Sequence, residues 1–321
     1  YKMSSSNLGL PDGTEDFIGF KAKELEKLRS LFLNHFYKNN CELVIPSLIE
    51  FSEVIGGNAN ASLRDYVYSF SDENLKDISV RPDISQQIAR IDLQQGTKDK
   101  KKYCYFGETL RKTKDSLTKS KIAYKTGVEI FGKISKNDEM DLIKLMLHSL
   151  KKAGKYKLTI SLGRTEPLTE ILDGLDLSFS DNRKLKKIIS SKSKTDLEEF
   201  FNTKSLNSKS LMEIKKLIEV NGKIESLKYL KTHKNKIFQD SAKKVEKIIK
   251  NLPSSIDYHV DFSDFPGFDY HSGLVFSVHV LGFGFSIAKG GEYISKQNNI
   301  VREAIGFDIN VSSIIKLNQH V

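Results

Sequence analysis

The sequence has little cysteine and no long apolar run, and both shortages exclude classes of protein. Its 321 residues include two cysteines, Cys41 and Cys104, each among apolar or aromatic neighbours. Two cysteines indicate neither a disulfide framework nor a cysteine-based zinc site, so we expect both to be reduced core residues in a cytoplasmic protein. No stretch approaches the roughly 18 apolar residues of a membrane span, and the first residues lack the apolar centre of a secretory signal. We therefore expect no membrane association.

Common signatures of nucleotide binding and hydrolysis are also absent. The sequence has no P-loop, no Gly-x-Gly-x-x-Gly after a strand, no His-Glu-x-x-His and no Gly-x-Ser-x-Gly. The segment GFGFS has glycines at positions 282 and 284, a pattern typical of a hairpin turn between strands. We predict no bound cofactor and no metal.

Positive charge is concentrated in one segment. The net charge is +10, and residues 181–250 contain 18 lysines and one arginine against nine acidic residues. A basic segment can attract nucleic acid, but this one lacks the arginines and aromatic residues that stack on bases. We interpret it as a solvated helical surface and do not expect nucleic acid as a partner.

Apolar periodicity and turn residues predict an α+β fold on a mainly antiparallel sheet flanked by helices. Helices are predicted over 20–40, near 83–95 and from 137 onward, and strands over 41–51, 101–111, 126–132 and 156–163. Residues 166–252 have a helical rhythm, and strands return after Pro253. We therefore predict one domain made of residues 1–165 and 253–321, with a lysine-rich helical insertion over 166–252.

Five polar clusters interrupt the apolar pattern. They are Arg81 with Asp83 and Ser85, Arg111, Lys125 with Glu129, Asp269 with Tyr270 and His271, and the run Lys289–Tyr293. Each has an ordinary structural interpretation, such as a helix cap for Asp83 or a paired carboxylate for Glu129. Together they predict a polar face on one side of the sheet. Such a face suits a zwitterionic amino acid, which needs a carboxylate, a cation and side-chain partners.

Seven ordered blocks of the sequence resemble one family across nearly the whole chain. The blocks are GLPDGTEDF, VRPDISQQIAR, GETLR, TGVEIFG, FPGFDYHSGLVF, AKGGEY and AIGFDINV. They resemble the catalytic domain of class II histidyl-tRNA synthetases, and more closely the paralogous regulatory subunits of ATP phosphoribosyltransferase in histidine biosynthesis. The basic segment falls where the synthetase carries its insertion domain.

The departures from the synthetase pattern concern the groups that handle ATP. By the resemblance, Ala123 replaces the phenylalanine that stacks on adenine, and Pro266 replaces the activating arginine. Ser312 and Ser313 replace the closing Glu-Arg pair, and Thr113 and Lys114 follow the strand-ending arginine in place of Glu and Arg. Removing one cation that stabilises a phosphoryl transition state lowers the rate by roughly 10²–10³. The sequence also ends without room for an anticodon-binding domain, so we expect a non-catalytic chain.

The resemblance implies a regulatory subunit that assembles with a short-form catalytic ATP phosphoribosyltransferase. It also implies a homodimer within the hetero-oligomer, through the helix at 20–40 and the strand through Pro46. Histidine is the expected effector, and its implied ligands are Asp83, Ser85, Arg111, Lys125, Glu129, Tyr270 and His271. Lys125 stands where the synthetase has a glutamine near the ammonium of the amino acid, so its charge must be paired there.

Three alternatives remain open at the level of sequence. The pocket can be a relic that is kept for folding. The chain can be a divergent histidyl-tRNA synthetase-like enzyme, which Pro266 and Ser312–Ser313 oppose. It can also be a tRNA-binding paralogue that uses the basic insertion.

Overall fold

The first half of the chain alternates helices with strands. The computed structural model describes residues 9–56, 66–115, 117–264, 271–297 and 300–319. The elements up to the predicted insertion are α1 (Phe20–Tyr37), β1 (Glu42–Leu43), β2 (Ile49–Phe51), α2 (Ser52–Gly56), β3 (Ser69–Ser71), β4 (Asp77–Val80), α3 (Ser85–Gln95), β5 (Lys101–Leu110), β6 (Ile122–Phe131), α4 (Lys136–Ala153) and β7 (Leu158–Arg164).

The segment predicted as a helical insertion is mostly helical. It contains α5 (Glu166–Asp173), α6 (Phe179–Ser191), α7 (Lys194–Thr203), α8 (Ser208–Ile218), β8 (Asn221–Gly222), a 3-10 turn (Ile224–Leu227), α9 (Lys228–Lys231) and α10 (Lys236–Lys250). Strand β8 joins the edge of the main sheet. The division of the chain into a domain and an insertion stays a prediction.

The last part of the chain returns to strands, as the sequence predicts. Its elements are β9 (Asp257–Asp261), β10 (His271–Val280), β11 (Ser286–Gln297), β12 (Ile300–Asn310) and α11 (Val311–Asn318). In the described part of the chain, nine strands form one sheet in the order β1-β5-β6-β12-β11-β10-β7-β9-β8, and β2, β4 and β3 form a small second sheet. The pairs β1–β5 and β7–β9 are parallel and the other pairs are antiparallel, which confirms the α+β class.

One face of the main sheet is apolar and carries the principal core. Phe276, Leu162 and Val260 stand in register on the neighbouring strands β10, β7 and β9, Phe307 of β12 lies beyond Gly290 of β11, and all four apolar side chains are buried. Helix α1 packs against this core because its apolar residues recur every three or four positions. Helix α4 begins at a capping box in which Ser135 and Asp138 satisfy each other's backbone N–H groups.

The opposite face of the main sheet is polar. Asp308, Lys289, Ser277, Ser161 and His259 stand in register across β12, β11, β10, β7 and β9. Side chains in register on neighbouring strands point to the same side of a sheet. Helix α3 covers one end of this face, and a second, smaller core forms there between its Ile84 and Ile88 and the sheet.

The boundaries of several predicted elements need correction. Helix α1 ends at Tyr37, and β6 begins at Ile122, four residues before the predicted start. The turn around Gly282 and Gly284 does connect β10 to β11. Cys41 and Cys104 are buried and unpaired with each other. None of the helices in the described ranges is long and apolar enough to cross a membrane.

Candidate functional site

The candidate site lies on the polar face of the main sheet, beside the first turn of α3. The loop between β4 and α3 supplies Asp83, and α3 begins with Ser85. Strand β6 supplies Lys125 and Glu129, which lie four residues apart and therefore on one face. Arg111 follows the last residue of β5. Five of the seven predicted histidine ligands thus meet in one place.

Asp83 is the buried anion at one side of the site. Its Oδ1 accepts a hydrogen bond from the backbone N–H of Ser85 at 2.9 Å, which fixes the entry into α3. Its Oδ2 lies 3.7 Å from Nη2 of Arg111 and 3.9 Å from Nζ of Lys125. Burial raises the pKa of Asp83, and the positive charges of Lys125 and Arg111 oppose that rise. The prediction of Asp83 as the helix cap is wrong, because the N-cap residue is Ile84, although the carboxylate still accepts from the backbone N–H of the first helical residue.

Lys125 is paired, but chiefly with a residue that the sequence analysis did not single out. Its Nζ donates to Oδ1 of Asp308 at 2.9 Å, and both side chains are mostly buried. Asp308 lies on β12, next to β6 in the sheet, where Gly127 is its register partner. The charge of Lys125 is therefore largely neutralised before any ligand arrives.

Glu129 is held between two hydroxyl groups. Ser85 donates to its Oε1 at 2.6 Å and Tyr293 donates to its Oε2 at 2.9 Å. Burial raises the pKa of Glu129 to about 8, with the nearby Asp83 and Asp308 acting in the same direction and the two hydroxyl bonds opposing it. At neutral pH the carboxyl is therefore largely protonated, although it can ionise close to that pH.

The floor beneath Glu129 requires a glycine. A Cβ at Gly306 would lie 1.9 Å from Oε2 of Glu129, well inside contact distance. A neighbouring glycine serves Tyr105 in the same way, since a Cβ at Gly127 would lie 2.5 Å from the tyrosine hydroxyl. Because neither glycine has a side chain, the carboxylate of Glu129 and the hydroxyl of Tyr105 can lie directly against the backbone.

A cleft of about 280 Å³ opens next to these residues. Arg111, Lys125 and Asp308 line it, together with Lys289 from β11 and Lys114 and Lys121 from the β5–β6 connection. Burial lowers the pKa of Lys289, and the positive charges of Lys125 and Arg111 act in the same direction. Lysines and Arg111 outnumber Asp115 and Asp308 in the lining, and among the described residues Arg111 is the one arginine there.

Two members of the predicted clusters, Arg81 and Glu292, do not lie where the sequence analysis placed them, and the prediction is wrong for both. Arg81 donates to the backbone carbonyls of Glu108 at 2.6 Å and Pro46 at 2.9 Å, so it supports the loop and does not face the cleft. Glu292 lies on the other side of the sheet from its neighbour Tyr293, because side chains alternate along a strand. There it accepts a hydrogen bond from Arg164 at 2.9 Å.

Several predicted residues lie beyond what the structure describes. Pro266, Asp269 and Tyr270 are outside the described residues, and so is the side chain of His271. Ser312 and Ser313 are described and are buried at the start of α11. The hydroxyl of Ser312 accepts from the backbone N–H of Tyr124 at 2.9 Å, so this side chain joins α11 to β6.

Arg164 forms a buried charge network that the sequence analysis missed. Its guanidinium is 2% exposed and contacts Glu139 at 3.0 Å, Glu166 at 2.9 Å and Glu292 at 2.9 Å. Burial raises the pKa of Glu292, in part opposed by Arg164. The arginine ends β7 in the run SLGR; Glu166 is two residues away, but Glu139 and Glu292 are distant in sequence, so only the folded chain brings these two to the arginine.

Comparison with known proteins relates the chain to one family. The family described as Histidyl-tRNA synthetase matches residues 13–314. The ATP phosphoribosyltransferase regulatory subunit of Thioalkalivibrio sulfidiphilus is 26% identical over 98% of this chain and 83% of its own length.

Two solved structures share the fold. One is an ATP phosphoribosyltransferase regulatory subunit/histidyl-tRNA synthetase from Bacillus halodurans, with a TM-score of 0.81 and 17% identity over 98% of this chain and 84% of that chain. The other belongs to the ATP phosphoribosyl transferase (HisG:HisZ) complex from Thermotoga maritima, with a TM-score of 0.63 and 16% identity over 92% of this chain and 98% of that chain.

Proposed function

The chain belongs to the histidyl-tRNA synthetase family, and from this premise we propose that it is a regulatory subunit of ATP phosphoribosyltransferase in histidine biosynthesis. In this role it assembles with a short-form catalytic transferase, which performs the chemistry. The observation that carries the proposal is the similarity, over 98% of this chain, to proteins named as that regulatory subunit. The complex from Thermotoga maritima supports a catalytic transferase as the partner.

A non-catalytic role agrees with the chemistry of the cleft. Adenylate formation builds negative charge on phosphoryl oxygens, which positioned guanidinium groups and metal ions stabilise. Among the described residues that line the cleft, Arg111 is the one arginine, and it already contacts Asp83 and the carbonyl of Pro82. Ser312 and Ser313 have neither charge nor access, because both are buried at the start of α11.

We propose that the site binds histidine as the effector. In this proposal Asp83 and Ser85 face the ammonium group, Arg111 holds the carboxylate, and Glu129 approaches the imidazole. Tyr270 and His271 belong to the proposed set through the family resemblance alone. Lys125 does not prevent binding of the ammonium, because Asp308 at 2.9 Å compensates its charge.

A homodimer within the hetero-oligomer is also part of the proposal. Large apolar side chains are exposed beside the edge strand β1 and on the small sheet, namely Ile45, Leu48, Ile49, Phe51 and Phe70, each between 41% and 72% exposed. A contiguous exposed apolar patch of this kind is characteristic of a protein interface. Strand β1 is also an edge strand with one free side.

The partner assay tests the regulatory role directly. The catalytic transferase from the same genome is purified with and without this chain, and its rate is measured with ATP and phosphoribosyl pyrophosphate. We expect a stable complex and a substantial change in rate. A transferase that is equally active alone, and that does not bind the chain, would contradict the proposal.

Calorimetry with histidine tests the effector site separately. Wild type is expected to release or absorb heat, and Glu129→Ala is expected to bind at least about tenfold more weakly because a buried polar partner is lost. If wild type does not bind histidine, the pocket is a relic that is kept for folding. Histidine-dependent exchange of pyrophosphate into ATP would instead favour the divergent synthetase-like enzyme.

A further inference from the structure

A second concave surface lies on the helical side of the molecule, away from the polar face. Residues of helices α4 and α10 line a groove of about 550 Å³. Met140 and Ile248 contribute apolar surface to the groove. The family resemblance and the histidine site assign nothing to it.

The groove is lined by more lysines than any other charged residue. Five lysines contribute, namely Lys136, Lys144, Lys243, Lys244 and Lys247, against the three acidic residues Glu139, Asp141 and Asp240. Glu139 is already bound to Arg164 at 3.0 Å, so it does not offset the lysines. Lys136, Lys144 and Lys247 have no carboxylate within 4 Å in the described part of the chain. The groove therefore has a net positive charge, of which Asp141 and Asp240 offset a part.

We propose that this groove is the docking surface for an acidic segment of the catalytic transferase. The proposal rests on the proposed regulatory function. An acidic segment supplies the carboxylates that Lys136, Lys144 and Lys247 lack, and its apolar side chains can cover the half-buried Met140. Electrostatic complementarity of this kind selects the partner and accelerates association.

The shape and chemistry of the groove favour a protein segment over nucleic acid. In the part of the chain that the structure describes, its lining includes no arginine and no aromatic side chain on which bases could stack. Asp141 and Asp240 on its walls would repel a phosphate backbone, which is anionic at every nucleotide, whereas an acidic segment carries carboxylates only at some positions and can place them opposite the lysines. A polypeptide can instead use backbone N–H groups and its own lysines or hydroxyls to meet those two carboxylates.

The groove is also connected to the effector site by a short chain of contacts. Glu139 in the groove wall holds Arg164, and Arg164 holds Glu292 on β11. The next residue of β11, Tyr293, emerges on the polar face and donates to Glu129. A segment bound in the groove therefore lies next to a buried network that reaches the histidine site.

Charge reversal tests the docking surface. The double variant Lys243→Glu/Lys247→Glu changes two exposed lysines one turn apart on α10, where a glutamate is an equally good helix former. The matched control Lys187→Glu/Lys209→Glu changes two exposed lysines of the same basic segment outside the groove. We expect the groove variant to weaken binding of the catalytic transferase by at least about tenfold, and the control by less than about twofold.

The outcomes separate this inference from the proposed function. Equal loss in both variants, or no loss in either, overturns the docking surface while leaving the regulatory role intact if wild type still binds the transferase. Loss of transfer RNA binding by the groove variant, with transferase binding unchanged, overturns it in favour of nucleic acid. Failure of wild type to bind the transferase overturns both. Circular dichroism and thermal unfolding of each variant confirm that the chains remain folded.

Discussion

At the scale of the residue, the most informative group is Glu129. Its carboxyl is 2% exposed and accepts two hydroxyl hydrogen bonds, yet no cation is bonded to it among the described residues. A buried carboxyl without a bonded cation stays protonated well above its ordinary pKa. The raised value, about 8, places its ionisation near physiological pH, where an approaching imidazole can change its charge state.

The raised pKa makes stability depend on pH in a defined direction. Between the ordinary value of 4.5 and about 8, Glu129 is protonated in the folded chain and ionised in the unfolded chain. Unfolding then releases a proton, so the free energy of unfolding falls as pH rises through this window. We expect Glu129→Gln to remove that decline and to be more stable than wild type at pH 8, by on the order of a few kcal/mol. Urea unfolding at pH 5 and pH 8 measures the difference.

Burial also raises the pKa of Asp83. This adds to the fall in the free energy of unfolding with rising pH, in wild type and in Glu129→Gln alike. The comparison between wild type and Glu129→Gln isolates the share of Glu129. Identical pH slopes in the two proteins would show that Glu129 is already ionised in the folded state near pH 5.

A glycine beneath the site gives a second prediction at this scale. Gly306→Ala places a methyl group 1.9 Å from the present position of the Glu129 carboxylate. The carboxylate must leave its two hydroxyl partners, so we expect histidine affinity to fall at least about tenfold. Gly284→Ala is the control, because a Cβ at Gly284 meets no atom within 4 Å. Equal affinities for the two variants in calorimetry would contradict this account.

At the scale of the element, Arg164 joins four parts of the fold. Its guanidinium at the end of β7 binds one carboxylate each from α4, α5 and β11. Loss of one partner from a buried ion network leaves uncompensated charge, which typically costs about 3–5 kcal/mol. The network therefore fixes how α4 and α5, the first helix of the predicted insertion, pack on the sheet.

Replacement of Arg164 is therefore expected to be severe. Arg164→Met leaves three carboxylates without their common cation, and we predict a loss of about 3–5 kcal/mol in the free energy of unfolding at neutral pH. The loss should shrink in acid, because protonated carboxyls no longer repel one another. Arg90→Met is the control, since that arginine pairs with Glu50 nearer the surface. Equal small losses in both variants would show that the buried network contributes little.

The sequence predicted most elements because local patterns determine them. The stripe of Leu28, Phe32 and Phe36 and the polar break after Leu110 sufficed for α1 and for the β5–β6 hairpin. Pairings between distant strands have no local pattern, so the contact of Asp308 with Lys125 and the contacts of Arg164 could not be foreseen. The fold class and five of the proposed ligands were accessible from sequence, whereas the charge partners that shape their chemistry were not.

At the scale of the whole molecule, three surfaces are distinct. The polar face of the sheet holds the proposed effector site, residues of α4 and α10 line the groove, and exposed apolar side chains lie on the small sheet and beside β1. A regulatory subunit needs one surface for its effector and others for its assembly. Separate surfaces allow each contact to be disrupted without loss of the others.

The last prediction concerns the apolar surface beside β1. We expect wild type to be a homodimer and the variant Ile45→Asp/Leu48→Asp to be monomeric, because each aspartate would be desolvated in the interface without a partner. The control Met212→Asp changes a residue that is 58% exposed on α8, outside that surface. Light scattering after size-exclusion chromatography measures the mass of each protein. A dimeric double variant, or a control that dissociates equally, would place the subunit contact elsewhere on the molecule.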